Sequence, residues 1–245
     1  MSELYDQLGH GYEAQRRPDP RISVLISHQL EGHASVVNVG AGTGSYEPTD
    51  LPVVAVEPSR RMIWQRRNRS NVVQAKAEAL PFSDRAFDAA MAILTIHHWN
   101  DKKMGLEECA RTTRKRLVIF TWDPASEGFW LVREYFPELL AFDRKVFPSM
   151  EDLRTVLGRI SVQTVPVPAD CIDGFLGAYW RRPYAYLDAA VRSGMSSFAR
   201  ISEVESRIEE LRKDLALGVW ERSHRHLLGA DTLDIGYRLV TVELQ

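Results

Sequence analysis

A run of β-branched residues that leads directly into a glycine-rich turn is the feature that most restricts the fold of this chain. Val36-Val37-Asn38-Val39 has the character of a buried strand, and Gly40-Ala41-Gly42-Thr43-Gly44 follows it without a break. Glycine lets the backbone turn tightly and lets a ligand approach with no Cβ in the way. Ligands of open α/β sheets bind beyond the carboxyl ends of strands. The pattern therefore indicates a nucleotide-like ligand at a strand end, and a turn with a purely structural role is the alternative.

Further apolar runs of strand length recur along the chain, and helix-like segments separate most of them. This alternation predicts a parallel sheet with helices on both faces. The predicted strands are residues 35–40, 52–57, 71–75, 87–95, 116–122, 161–167 and 236–244. The predicted helices of this part are residues 59–69, 101–112, 126–142 and 149–157.

The stretch between the last two predicted strands, residues 168–235, is too long for a plain loop. It holds two helix-like segments, residues 175–192 and 201–224, and we expect a helical cap over one edge of the site. The whole chain, residues 1–245, is expected to form a single domain. Its other parts would be an N-terminal helical cover, residues 1–34, and a ligand-binding core, residues 35–123.

Two features decide which nucleotide the glycine turn suits. Glu57 ends the second predicted strand, where a carboxylate can accept two hydrogen bonds from a ribose diol; a solvated side chain at the start of the next helix is the alternative. A dinucleotide site requires a third glycine and a helix N-terminus at the pyrophosphate. Ser45 occupies that glycine position, and only the seven residues 45–51, which include Pro48, precede the next strand. A crossover helix does not fit there, which favours S-adenosylmethionine (SAM), a ligand without phosphates, over NAD.

Together these residues resemble the motifs of the class I SAM-dependent methyltransferases, and most of all the type 11 small-molecule enzymes, which include antibiotic-biosynthesis members. The resemblance extends from about residue 5 to residue 123, and more weakly through the cap. It implies a Rossmann-like, seven-stranded, mostly parallel sheet with an antiparallel last strand, and SAM as the cofactor. It also implies methyl transfer to O, N or C of a small-molecule acceptor, in secondary-metabolite biosynthesis. Further matching segments are Glu78-Ala79-Leu80-Pro81-Phe82, Phe87-Asp88-Ala89-Ala90-Met91, His97-His98-Trp99, and Tyr5-Asp6 with Tyr12 and Arg16-Arg17-Pro18.

The resemblance assigns cofactor contacts by position. Gly40, Gly42 and Gly44 would line the methionine part of SAM, and Glu57 would hold the ribose. The other implied contacts are Met62, Ala77 and Glu78 near the adenine, Leu94 below the sulfonium, and Tyr12 and Arg16 over the methionyl carboxylate. A guanidinium suits a carboxylate partner because its N–H groups form a matching fork.

The chain departs from the family pattern at three places. Asn38 stands where the first motif usually has an acid, so it brings a hydrogen-bond acceptor but no charge to the SAM amino group. Lys76 stands where many members have an aspartate for the adenine amino group, so backbone groups or Glu78 would have to accept that bond. The third departure is the missing helix after Gly44.

Methyl transfer from a sulfonium is an in-line displacement, so proximity and alignment carry much of the catalysis, and a base is needed only when the acceptor must lose a proton. His97 and His98 follow the fourth predicted strand, next to the expected methyl group, and a neutral imidazole near its ordinary pKa suits that role. Side-chain alternation would let only one of them face the pocket, and the alternative is that both bond the backbone. Asp123 ends the fifth predicted strand and would orient a histidine, hold the acceptor, or cap the next helix.

Composition narrows the function classes. The formal net charge of −2 gives no electrostatic reason to bind nucleic acid, and no apolar run approaches the roughly 18 residues of a membrane helix, so a cytoplasmic location is expected. Two cysteines, with His224 and His226, do not make a metal-ligand set. The arginines at positions 60, 61, 66, 67 and 69 are expected to form a solvated helix face. Residues 177–182 mix aromatic rings with two guanidiniums and would either grip the acceptor or pack in the core.

Three function classes compete on this evidence. The first is a SAM-dependent enzyme that methylates a small molecule. The second is a non-catalytic protein that binds SAM or S-adenosylhomocysteine (SAH), which the departures at Asn38 and Lys76 favour. The third, a nicotinamide oxidoreductase, is disfavoured by Ser45 and the short crossover. The acceptor and the oligomeric state are not predicted.

Overall fold

A seven-stranded sheet forms the centre of the protein in the computed structural model, which describes residues 16–66 and 68–244. Its strand order is β3-β2-β1-β4-β5-β9-β6. Strands β1 to β5 run parallel, whereas β9 pairs antiparallel with both β5 and β6. The strands are β1 Val36–Val39, β2 Val53–Val56, β3 Val72–Val73, β4 Phe87–Ile93, β5 Thr113–Trp122, β6 Ser161–Thr164 and β9 Tyr237–Glu243. A separate two-stranded sheet pairs β7 Val167–Pro168 with β8 Thr232–Leu233.

Eight α-helices accompany the strands in the described part of the chain. Side-chain caps begin several of them: Asp19 accepts from the Arg21 N–H, Ser59 from Met62 and Asp101 from Met104. Such caps satisfy N–H groups that have no partner within the helix. The helices are α1 Pro20–Leu30, α2 Arg60–Gln65, α3 Lys102–Thr112, α4 Pro137–Val146, α5 Met150–Leu157, α6 Ala189–Ser193, α7 Val204–Ala216 and α8 Val219–Ser223.

Each face of the sheet has its own apolar cluster, as the alternation of side chains along a strand requires. In β1, Val36 belongs to a cluster with α1 and the cap, whereas Val37 and Val39 belong to a cluster with α3 and α5. The cap residues Trp180 and Trp220 are almost fully buried in the first cluster. Sheet and cap therefore share one core on that face.

The predicted fold class is confirmed: the sheet has seven strands, is mostly parallel, and ends on an antiparallel strand with helices on both faces. The predicted single helix over residues 126–142 is wrong. A π-helical turn, Leu131–Tyr135, precedes α4, because Pro137 lacks an N–H and its ring clashes with a continuous preceding turn. The sixth strand ends at Thr164, since Pro166 cannot donate to the sheet.

The helical cap is less regular than predicted. Residues 175–192 form two 3₁₀ turns, Leu176–Tyr179 and Pro183–Leu187, followed by the start of α6. The second predicted cap helix is divided into α7 and α8 at Gly218, whose φ of +65° does not fit a helix. No helix in the described part of the chain is both long and apolar enough to cross a membrane.

Gly105 tests the packing of α3 against the sheet. A Cβ at this position would lie 2.5 Å from Cε3 of the buried Trp99 ring. In an open helix Gly→Ala stabilises by about 1 kcal/mol, but here we expect Gly105→Ala to lower the free energy of unfolding by about 1–3 kcal/mol through overpacking. Urea unfolding measures this change in the free energy of unfolding, and Lys103→Ala, at an exposed position of the same helix, is the control. A stabilised Gly105→Ala variant would contradict this packing.

Candidate cofactor and acceptor site

The glycine turn at the end of β1 adopts a conformation that only glycine accepts easily. Gly40, Gly42 and Gly44 have φ values of +72°, +50° and +95°. A Cβ on Gly40 would lie 2.0 Å from Oγ1 of Thr95, the residue that follows β4 by two positions, so the two chain segments touch there. A Cβ on Gly42 would meet no atom within 4 Å, so this glycine faces open space.

Glu57, at the end of β2, fixes the turn through its carboxylate. Oε2 accepts the Gly42 N–H at 2.8 Å, and Oε1 accepts the Ser59 N–H at 2.9 Å. The residue is 7% exposed and borders the space in front of the turn. Glu57 thus braces both the turn and the start of α2 from the edge of this space.

A cavity of about 180 Å³ lies in front of the turn, and we call it the loop cavity. Most of the predicted cofactor residues line it: Arg16, Asn38, Gly40, Gly42, Glu57, Met62, Ala77, Glu78 and Leu94. Gly44 does not; it lies on the other side of the turn, beside Glu47 and Arg66, and borders an open groove. Tyr12, the remaining predicted contact, lies outside the described residues.

The side chain of Asn38 is held by an ion pair that the sequence did not reveal. Its Nδ2 donates to Oε1 of Glu47 at 2.9 Å, and Glu47 pairs with Nη2 of Arg66 at 2.6 and 2.7 Å. Oδ1 of Asn38 is buried and has no hydrogen-bond partner among the described residues. This amide oxygen therefore has an acceptor position free beside the loop cavity.

Arg66 corrects the expectation that the arginines of this segment form a solvated face. It is 6% exposed, and its Nη1 donates to the carbonyl oxygens of Gly42 at 3.1 Å and Ala41 at 3.4 Å. The helix ends at Gln65, four residues earlier than predicted. Arg66 therefore lies outside the helix, where its side chain reaches the carbonyl groups of the glycine turn. No pattern separates Arg66 from the arginines around it in the sequence.

A buried polar network joins the N-terminal segment, the short crossover and the cap. Asp173, which is fully buried, accepts from Nε of Arg16 at 2.7 Å and from the Tyr46 hydroxyl at 2.7 Å. Tyr46 takes a positive φ of +64° in the crossover, where no helix forms, as predicted. Neither Tyr46 nor Asp173 stands in a recognisable motif, so sequence analysis missed both.

Glu78, another residue that lines the loop cavity, forms hydrogen bonds within the protein. One carboxylate oxygen accepts the N–H groups of Asn100 and Asp101 at 2.7 and 3.1 Å, and so supports the start of α3. Lys76 is exposed and also lines the cavity, whereas Ala77 is buried against it.

His97 and His98 lie in a 3₁₀ turn, Ile96–His98, after β4. The His97 ring stacks on Phe147, with centroids 4.0 Å apart, and lies 3.8 Å from the His98 ring. Both histidines line one cavity, so the expectation that only one would face the pocket is wrong: the chain turns there and does not continue as a strand. Leu94, just before the turn, has a strained φ of +49°.

The expected pKa near the ordinary histidine value is also wrong. Burial lowers the pKa of His98 to about 3 and holds the pKa of His97 well below its usual range, and each is lowered further by neighbouring positive charge. Both imidazoles are therefore neutral at pH 7. They are also poor proton acceptors, because a base with so low a pKa gives up its proton readily.

A second cavity, of about 90 Å³, adjoins the histidines, and we call it the aromatic cavity. Arg16, Leu94 and His98 line both cavities, so the two meet at these residues. The rings that border the aromatic cavity are Trp122, Phe129, Phe142, Phe147, Phe175 and Tyr237. Its titratable and charged groups are Arg16, His97, His98, Asp143, Arg200 and Tyr237.

Asp123 and residues 177–182 do not border either cavity in the described part of the chain. Oδ1 of Asp123 accepts the Ala125 N–H at 3.0 Å and supports a turn, and the helix that Asp123 is expected to cap does not begin there. Trp180 is fully buried, and the Arg182 guanidinium lies over the Tyr179 ring and donates to backbone carbonyls. Among the described residues, no group of three or more His, Cys, Asp or Glu side chains is arranged to hold a metal ion.

Comparisons with known proteins agree with this geometry. The model of a methyltransferase domain family matches residues 37–120. The structure of an Anabaena variabilis protein, described as a candidate methyltransferase from an antibiotic biosynthesis pathway, superposes with a TM-score of 0.85. It is 33% identical, and the match covers 94% of this chain and 99% of that one.

Two curated relatives match part of the chain. One is a tRNA (carboxymethyluridine(34)-5-O)-methyltransferase from Xenopus tropicalis, 29% identical over 50% of this chain and 21% of its own. The other is a chloroplastic 2-methyl-6-phytyl-1,4-hydroquinone methyltransferase from rice, 26% identical over 59% of this chain and 47% of its own. The chain thus spans about half or less of the length of these two relatives.

Arg66 provides a test of how the glycine turn is held. We expect Arg66→Met to lower the free energy of unfolding by about 2–4 kcal/mol, because it leaves the half-buried Glu47 carboxylate without its partner. Urea unfolding measures the change. Arg60→Met, at the exposed first position of α2, is the control and should change the free energy of unfolding by less than about 0.5 kcal/mol. Adding Glu47→Gln should recover part of the loss, and equal losses for both arginines would contradict the assignment.

Proposed function

Because the chain belongs to the class I SAM-dependent methyltransferases, we propose that it transfers the methyl group of SAM to a small molecule bound in the aromatic cavity. The observation that carries this proposal is the junction of the two cavities at Arg16, Leu94 and His98. A molecule in the aromatic cavity would meet the methyl-bearing end of a cofactor in the loop cavity there. Holding the two in line would supply much of the catalysis.

The residues of the loop cavity fit SAM. In this proposal Gly40 and Gly42 let the methionine part approach the backbone, since Gly42 faces open space. Glu57, which borders the loop cavity at the end of β2, accepts hydrogen bonds from the ribose hydroxyls. Met62 and Ala77 pack against the adenine, with Glu78 and Lys76 at its edge.

The free Oδ1 of Asn38 suits the amino group of the methionine part. The family acid is absent at this position. Oε1 of Glu47 lies 2.9 Å from Nδ2 of Asn38, so Glu47 supplies a negative charge on the far side of the Asn38 side chain. Arg16 suits the methionyl carboxylate, and its pairing with Asp173 holds the guanidinium at the junction.

SAM supplies an electrophilic methyl group when bound; the chain's own residues align the acceptor and keep water away. The neutral histidines suit this positioning role because they add no charge beside a sulfonium. Leu94 adds apolar surface where the two cavities meet. Asp123 bonds its own turn, so the proposal gives it no contact with the acceptor.

Three facts favour a small acceptor over tRNA, the substrate named for one relative. The aromatic cavity is small, it is bordered by the cap, and the net charge of the chain is −2. The relation to the Anabaena variabilis protein supports a role in secondary-metabolite biosynthesis.

Calorimetry tests the cofactor site. Wild-type protein should bind SAM and SAH saturably and should not bind NADH. Glu57→Gln should weaken SAM binding by about tenfold or more, because an amide N–H₂ would face the Gly42 or Ser59 N–H group. Asp50→Asn, on the exposed crossover, is the control and should leave the affinity unchanged. Failure of the wild type to bind SAM would overturn the proposed function.

The role of Asn38 gives a second test. Asn38→Asp restores the family acid but sets two carboxylates against each other, because Nδ2 now donates to Glu47. We expect this variant to lose about 1–3 kcal/mol of stability and to bind SAM more weakly. The double variant Asn38→Asp with Glu47→Gln moves the negative charge from position 47 to position 38 and should recover both stability and SAM affinity. Tighter SAM binding by Asn38→Asp alone would show that Glu47 does not replace the family acid.

A further inference from the structure

Asp143 has a carboxyl group that borders the aromatic cavity and does not stabilise a turn or a helix end. It lies on α4 and is the single acidic side chain that borders the aromatic cavity within the described part of the chain. Among those residues, no donor forms a hydrogen bond to its carboxyl group; burial and the charge of Arg200 are what act on it. Asp143 is partly buried and borders the cavity, so a ligand bound there would supply a hydrogen-bond donor that the described residues do not.

The position of Asp143 brings it close to the proposed methyl-transfer point. The Asp143 carbonyl accepts the Phe147 N–H at 2.9 Å, so the two residues lie one helical turn apart on the same face. The Phe147 ring stacks on His97 at 4.0 Å, and His97 contacts His98, which lines both cavities. Asp143 thus borders the same cavity as the junction residue His98, with Phe147 and His97 between them.

The other titratable groups of the aromatic cavity are poor proton acceptors. His97 and His98 have pKa values far below neutrality. Arg16 is a cation paired with Asp173, and burial raises the pKa of the Tyr237 hydroxyl, so that group stays protonated. Arg200 is also a cation, and its guanidinium lies 4.6 Å from the centre of the Phe142 ring. Asp143 differs: burial raises its pKa to about 7, against the lowering effect of Arg200.

From this arrangement we propose that Asp143 is the general base of the methyl transfer and that the acceptor is a small aromatic alcohol. This inference rests on the proposed function. The acceptor oxygen forms the new O–C bond as the S–C bond breaks. The S–C electron pair stays on sulfur, and the hydroxyl proton passes to an Asp143 carboxylate oxygen, from which water removes it after product release.

Two features of the cavity favour an aromatic alcohol over an amine. The rings of Trp122, Phe129 and Phe147 suit a flat apolar acceptor. The Arg200 guanidinium repels a protonated amine but stabilises the negative charge that develops on an oxygen as its proton leaves. A neutral aromatic alcohol suits both the rings and the Arg200 charge, because its oxygen becomes more negative in the transition state.

The test uses 4-methylphenol as the acceptor probe and benzylamine as the cationic comparison, with SAM as the methyl source. Wild-type turnover of 4-methylphenol should rise with pH and level off above about 7, because the base must be ionised. Asp143→Asn should lower kcat by about 10²-fold and abolish the rise, with little change in KM. Asp143→Glu should restore part of the rate and the rise with pH.

Two controls separate this role from a structural one. Glu138→Gln removes an exposed carboxyl group from the same helix and should behave as wild type. His97→Asn should keep the rise with pH, since His97 does not supply the base. Difference infrared titration of the protein without acceptor should show one carboxyl group that titrates near pH 7, present in Glu138→Gln and absent in Asp143→Asn.

The outcomes are distinct. An Asp143→Asn variant with wild-type kcat and pH profile would overturn this inference, as would methylation of benzylamine but not 4-methylphenol. The absence of a carboxyl band that titrates near pH 7 would also overturn it. In each case the proposed function still stands if calorimetry shows that the wild type binds SAM. If the wild type does not bind SAM, both the proposed function and this inference are overturned.

Discussion

The two hydrogen bonds made by the backbone of Gly42 hold the site together. Its N–H is donated to Glu57 from one side, and its carbonyl accepts Arg66 from the other. Glycine geometry alone permits a turn with positive φ, but it also makes the turn flexible. Glu57 belongs to the end of β2 and Arg66 to the end of α2, so one βα unit fixes the conformation of the turn before it. A cofactor then meets a rigid surface, which reduces the entropy cost of binding.

The same argument extends from the turn to the whole sheet. Gly40 touches Thr95, so the end of β1 can approach the segment after β4 only when position 40 has no Cβ. This contact brings the His97–His98 turn next to the glycine turn. The network of Arg16, Tyr46 and Asp173 then ties the cap to the crossover where a helix would otherwise stand. Replacing one member of such a buried network by an apolar residue is destabilising, because the polar groups that remain lose their hydrogen-bond partner.

Most of the strands, the short crossover and the glycine turn with Glu57 could be predicted from the sequence because local pattern determines them. Buried strands show as β-branched runs, and Gly40, Gly42 and Glu57 carry local geometric requirements. The contributions of Arg66, Asp173 and Asp143 could not be predicted. Each depends on where a helix ends or on how the cap folds back, and partners far apart in sequence leave no local pattern. The cap helices were mispredicted for a related reason: Pro183 and Gly218 divide segments whose apolar spacing looks helical.

Burial explains why the histidines and the aspartate of the aromatic cavity have opposite chemical characters. Removing water disfavours whichever form of a group is charged, so it lowers the pKa of an imidazole and raises that of a carboxyl group. The sequence pattern His97-His98 suggested a base because an exposed imidazole titrates near neutrality. In the aromatic cavity the imidazoles lose that property, and Asp143 acquires it. The burial that would favour an apolar acceptor therefore also determines which side chain of this cavity can accept a proton near neutral pH.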